Sequence, residues 1–261
     1  MKKLFLFSVA VLFLAAVSQA KEGCVVKLTN GTIQQCDGIE ASANGDLSVR
    51  SGKFTNKIKK KDYIYAHIPM PAELKTALSK LKTKNYKEAI SAAVQGQAKY
   101  KALGWNLFCS MVKAEAENGL GEQAEALKTL EECAGYEITN PEEEKYRDEC
   151  QRVMSSIYFD MKKYKECAEV LNKIAYSKSP EVAAYALNKQ GDIFYNEGEK
   201  NRAVIKYLQT VYLMKSVGNE RAEALLKAAN TLKELNDNRS AKFAAMLKKD
   251  YPQSPYVSQL K

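Results

Sequence analysis

The chain has 261 residues, 46% of them hydrophobic and 27% charged, with a formal net charge of +9 and a single histidine. That length can bury a good core and is long for one compact domain of typical size. One histidine argues against Ser-His-Asp and Cys-His chemistry, and a mixed, mildly basic surface points to acidic proteins, anionic head groups or anionic polymers as partners.

Residues 1–20 read as an export signal. Lys2 and Lys3 form a positive start, Leu4 to Val17 is apolar, and Ser18-Gln19-Ala20 places small residues at both cleavage-determining positions. Only 17 residues separate Lys3 from Lys21, short for a span of roughly 20 apolar residues, so cutting after Ala20 is expected rather than a retained anchor. Removal takes two lysines and no acids and leaves 241 residues at +7. No later segment is apolar enough to cross a bilayer. The expected location is outside the cytoplasm, in the periplasm.

Residues 21–68 read as a small β module. Val25, Val26 and Leu28 lead into Asn30-Gly31, and Asn44-Gly45 is a second hairpin turn. Leu47 and Val49 alternate with polar residues, and Phe54–Ile58 and Tyr63–Ile68 are two further short runs. Five short strands predict a small barrel or curled sheet, and the layout resembles SH3-like or Sm-like barrels. His67 sits beside Ile64 and Ile68, as a packed histidine would. Lys57, Lys59, Lys60 and Lys61 lie beside Phe54, Tyr63 and Tyr65. Such interleaving suits an anionic polymer; the export signal argues against nucleic acid.

All six cysteines lie beyond residue 20, and an even count in an exported chain permits disulfides. A three-residue Thr29-Asn30-Gly31 loop with Gly31 left-handed sets Cys24 opposite Cys36. A two-residue turn instead pairs Leu28 with Ile33 and sends the cysteines to opposite faces; a bulge near Val25-Val26 would reconcile the two. Cys109 with Cys133 is the next candidate pair, Cys133 with Cys150 its competitor. Cys167 is expected as a buried free thiol.

Pro69 and Pro71 end the strand pattern, and residues 70–261 carry helical apolar spacing. A helical hairpin recurs there. In the clearest copy Leu187, Gly191 and Phe194 mark one helix, Gly198 the turn, and Ala203 and Tyr207 the returning helix. Gly191 and Ala203 lack bulk, so two helices can cross closely while Phe194 and Tyr207 fill the space beside them. Further small positions fall at Ala89, Ala126, Cys167 and Ala241, giving spacings of 37, 41, 36 and 38. The longest gap holds Asn140-Pro141-Glu142-Glu143-Glu144, a strong helix start. Trp105, with Leu103, Leu107 and Phe108, is expected in the core.

This pattern resembles the tetratricopeptide repeat family, whose unit has a small residue in each helix and aromatics beside it, at a period of 34. Tyr251-Pro252-Gln253-Ser254-Pro255-Tyr256 is similar to an ending found in bacterial cell-envelope members, among them outer-membrane assembly lipoproteins and the Tol-Pal-associated periplasmic protein. The resemblance implies a mainly α, right-handed solenoid of about five repeats behind the β module. It implies a non-enzymatic scaffold or adaptor that holds a protein or peptide partner in its concave groove. Carried over from the family's first-helix positions, the groove residues are Arg152, Phe159, Tyr185, Asn188, Asp192, Tyr195 and Asn230. Nothing in the sequence has the spacing of a metal, phosphate or dinucleotide motif, so no cofactor is expected.

Overall fold

A computed structural model describes residues 23–261. The signal segment and its cleavage point lie outside the described residues. Six strands come first: β1 (Cys24–Leu28), β2 (Ile33–Cys36), β3 (Gly38–Ala41), β4 (Leu47–Ser51), β5 (Phe54–Ile58) and β6 (Tyr63–His67). They form two three-stranded sheets, ordered β2-β1-β6 and β3-β4-β5, with antiparallel pairing throughout. The sequence pattern showed five strands, because β2 and β3 are separated only by Asp37. That residue turns the chain from one sheet to the other: its N–H donates to Arg50 O at 2.8 Å and its carboxylate accepts from Gly52 N at 2.6 Å.

The first hairpin adopts the three-residue loop, with Gly31 at φ +87° and Cys24 opposite Cys36. The competing two-residue register fails because Val26, not Val25, is the fully buried residue of β1. Residues 24, 26 and 28 therefore face inward, and Ile33 is left 60% exposed opposite Lys27. The expected bulge at Val25-Val26 is not there. The irregularity falls between Lys27 and Leu28, against β6. Val26, Ile39, Leu47, Val49, Tyr63 and Ala66 fill the module's interior.

Ten helices follow as five hairpins: α1 (Ala72–Lys82) with α2 (Tyr86–Tyr100), α3 (Asn106–Gly119) with α4 (Gln123–Ala134), α5 (Glu144–Asp160) with α6 (Tyr164–Ile174), α7 (Pro180–Asn196) with α8 (Lys200–Leu213), and α9 (Gly218–Glu234) with α10 (Ser240–Asp250). Each hairpin turn holds one left-handed residue: Lys84, Gly121, Lys162, Gly198 and Asn236. In each, the N–H just beyond that residue reaches back five positions, as Lys163 N does to Tyr158 O at 2.8 Å and Glu199 N to Phe194 O at 2.8 Å. These bonds satisfy carbonyls that the helix end leaves free.

Close crossing is where the sequence placed it. A Cβ on Gly191 would stand 2.4 Å from the Tyr207 ring. Ala89, Ala126, Cys167 and Ala203 are the fourth residues of α2, α4, α6 and α8, and all are fully buried. The fifth expected position fails. Ala241 is exposed, and the fourth residue of α10 is Phe243, which is buried. No sixth hairpin packs on this last helix among the described residues, so a bulky residue fits where earlier repeats need a small one.

One continuous core joins the β module to the first repeats, running from Val26 through Leu74, Trp105 and Val112 to Ile157. The Trp105 indole N–H donates to Ile68 O at 3.0 Å, and its ring packs against His67, Phe108 and Tyr146. Asn140 Nδ2 stands 3.3 Å from His67 Nδ1. Glu143, buried with Asn140, accepts from Asn106 N at 3.0 Å and so caps α3. The long 41-residue spacing thus supplies the loop that holds the β module in place.

All six cysteines are free thiols. The expected 24–36 bridge is not closed; instead Cys36 Sγ donates to Cys24 O at 3.5 Å. The expected 109–133 pair is corrected by side-chain direction. Cys109 Sγ lies 3.3 Å from where a Cβ on Gly96 of α2 would be. Cys133 instead faces a cavity of about 230 Å³ that it shares with Cys150, Arg147 and Met154. Matching heights on two helices did not fix which way each thiol points. Cys167 is a buried free thiol, as expected, with Sγ donating to Ser155 O at 3.2 Å.

Candidate functional site

The first helices of the hairpins, α1, α3, α5, α7 and α9, pack one on the next and form the inner layer; the second helices lie outside them. On α7, Tyr185, Lys189, Asp192 and Tyr195 recur at intervals of four, three and three, one face of a helix. On α9, Lys227, Asn230 and Glu234 recur at three and four. On α5, Arg152 and Phe159 stand two turns apart.

These side chains meet across the helices. The Arg152 guanidinium lies 5.7 Å from the Tyr185 ring and pairs with Glu149 at 2.6 Å. Lys189 sits 4.3 Å over Phe159 and 3.6 Å from Asp192. Asp192 also takes Lys227 at 2.8 Å and the Tyr207 hydroxyl at 3.0 Å. Tyr195 donates to Glu234 at 2.8 Å. The result is a continuous strip in which cations lie against rings and carboxylates.

The strip sets its own charge states. Burial works against the Lys227 ammonium, and Asp192 and Glu223 more than offset it, holding the lysine charged. Burial likewise opposes the charge on Arg152, and Glu149 and Glu115 prevail. Lys261, Tyr195 and Lys200 together hold the Glu234 carboxyl down at about 2. The Tyr207 phenol is pushed up by burial and by Asp192.

Six of the seven residues carried over from the repeat resemblance lie in this strip: Arg152, Phe159, Tyr185, Asp192, Tyr195 and Asn230. Asn188 does not. It is buried, 3% exposed, and its Nδ2 donates to Glu220 O at 2.9 Å, tying α7 to α9. Lys189, Lys227 and Glu234 were missed. Their signal was charge pairing at helical spacing, Lys189 with Asp192 and Lys227 with Glu223, but cross-helix contacts alone reveal that they share a face.

The lysines of the β module are placed separately. Lys57 lies on β5, and Lys60 and Lys61 in a turn before β6, with Lys59 just ahead; all four are exposed. Lys60 is pinned: its N–H donates to Asp46 at 2.9 Å and its ammonium sits 4.6 Å from the Tyr63 ring. A wider cleft, about 610 Å³, opens between the β module and the repeats, beside His67, Trp105 and Tyr146. Among the described residues no cluster of three or more His, Cys, Asp or Glu is placed to hold a metal, and no helix is long and apolar enough to cross a membrane.

No protein-family model matches the chain. No curated protein matches it in sequence. Solved structures do match in shape. PilF of Pseudomonas aeruginosa superposes with a TM-score of 0.51 at 19% identity, covering 72% of this chain and 79% of that one. A Podospora anserina structure described as a putative kinesin light chain with nearly identical TPR-like repeats superposes with a TM-score of 0.53 at 17% identity, covering 70% and 96%. The helical part of this chain therefore has the tetratricopeptide-repeat fold, preceded by a small β module.

Proposed function

We propose that this tetratricopeptide-fold chain is a non-enzymatic interaction scaffold of the cell envelope, which holds a segment of a partner protein against the inner faces of α5, α7 and α9. The observation that carries the reading is the strip itself. Rings at Phe159, Tyr185 and Tyr195 offer area at low cost in side-chain entropy, and the interleaved charges and amides can pair with a peptide backbone. The export signal read at residues 1–20 supports the location, and the fold supports the scaffold role.

A photo-crosslinking amino acid tests it. Placed at Phe159, it should trap a defined envelope protein in living cells, and Tyr195→Ala should lower the yield several-fold. Placed at Ile205, exposed on α8 of the outer layer, it should trap none of that protein. Equal trapping from both positions overturns the reading. Asn188→Ala is the wrong probe, because it loosens the α7–α9 contact.

A second reading is attachment to an anionic wall polymer through Lys57, Lys59, Lys60 and Lys61. Its support is that none of the four takes part in an ion pair among the described residues. Such binding should weaken steeply with salt and vanish when Lys59, Lys61 and Lys57 become glutamine. Binding unchanged by those substitutions removes it.

A further inference from the structure

The inner face is not empty at its last position. Beyond α10 the chain turns at Tyr251-Pro252 and comes back over α9, and residues 257–261 lie against that helix. After one 3₁₀ turn, Val257–Gln259, Leu260 is extended at φ −64°, ψ 129°. The Asn230 side chain grips the backbone on both sides of it: Nδ2 donates to Gln259 O at 3.2 Å, and Oδ1 accepts from Lys261 N at 3.0 Å. One side-chain amide thus does what a neighbouring strand does, pairing a carbonyl and an N–H that flank one extended residue. Leu260 packs on the core shared by α8, α9 and α10, and the Lys261 ammonium pairs with Glu234.

We propose that Asn230 and Glu234 form a recognition site for an extended segment of a partner protein carrying an aliphatic residue followed by lysine, and that residues 257–261 occupy the site until such a segment displaces them. The proposal rests on the interaction-face reading above and names its ligand. Three features of the segment make it a removable occupant. No residue from 251 to 261 is buried. Its bonds to Asn230 are exposed to water, which places it among the parts of a fold that open most easily. And beside Lys261 lies an open cleft of about 210 Å³ lined by Asp192, Tyr195, Tyr207, Leu226 and Lys227, room on the same face that residues 257–261 leave unused. The amide grip is blind to sequence. Selectivity comes from the apolar seat of Leu260 and from the carboxylate that receives the lysine.

The test uses the full chain and a fluorescein-labelled peptide, Tyr-Val-Ser-Gln-Leu-Lys, followed by anisotropy. A Leu260→Asp/Lys261→Glu chain, its own segment released, should bind the peptide at least ten-fold more tightly than the unaltered chain. Asn230→Ala in that background should remove the gain, and a peptide ending in Glu should not bind. Should the double variant lose its helical circular dichroism, Lys261→Glu alone, which alters one exposed side chain, should show the same order of affinities. Equal binding to altered and unaltered chains overturns the proposal, as does binding that survives Asn230→Ala. If the peptide fails while the crosslinker at Phe159 still traps its partner, this inference falls and the interaction face stands. If both fail, the face itself falls.

Discussion

Gly191 shows how much a single missing side chain can decide. A methyl group there would gain about 1 kcal/mol of helix propensity. It would also stand 2.4 Å from the Tyr207 ring, whose hydroxyl is held by Asp192, so the ring cannot swing clear without losing a half-buried bond. Overpacking of this kind costs about 1–3 kcal/mol and should win. Gly191→Ala is expected to lower the urea midpoint with the slope unchanged; a raised midpoint would show that the ring moves freely. This position was legible in the sequence because smallness at helical spacing has one common cause. Asn188 was not: a family position names a helix face, and a rotation of a fraction of a turn separates a residue that lines that face from one that ties two helices together. The thiols of Cys109 and Cys133 were illegible for the same reason.

At the level of elements, the five hairpin turns share one backbone solution but not one residue. Gly121 and Gly198 adopt the left-handed conformation freely; Lys84, Lys162 and Asn236 do so with a side chain attached. For an L residue other than glycine or asparagine that strain is about 1 kcal/mol. Lys162→Gly should therefore raise stability by up to about 1 kcal/mol in denaturant titration, and a loss would mean that the unfolded chain gains more entropy than the strain removes. The segment over α9 carries its own pH signature. The Glu234 carboxyl is held down at about 2, below its ordinary value near 4.3. A lowered carboxylate lends stability above its unfolded pKa and loses it as pH falls toward the folded one. Protection of the Lys261 amide, taken relative to the intrinsic exchange rate at each pH, should thus hold from pH 7 to about 5 and fall progressively from about 4 to 2; protection that does not change with pH would deny the Glu234 contact any role. The helices and their order were readable from periodicity. The return of residues 257–261 onto α9 was not, because it depends on contacts between positions some thirty residues apart.

Across the whole molecule, the division expected near residue 68 marks a change of secondary structure and not a break in the core. Trp105 is the shared element, with its indole N–H on Ile68 and its ring against His67 and Tyr146. Trp105→Phe keeps most of the apolar volume and leaves the Ile68 carbonyl without its donor, a loss of about 1–3 kcal/mol. In hydrogen exchange read by mass spectrometry, residues 24–67 and 106–119 should lose protection together in this variant, while 218–250 keeps theirs; loss confined to the strands would mean that the two parts open separately. The same arrangement bears on how the chain is made. The strands are the first described part to leave the ribosome, yet the groups that seat them, at Trp105 and Asn140, follow long after. Until residue 140 or so has emerged, the end of β6 at His67 and Ile68 waits for the Trp105 and Asn140 side chains that pack on it. The nascent chain therefore passes through a stretch of synthesis in which its earliest segment most needs shelter, and the later hairpins, each content with its neighbour, do not.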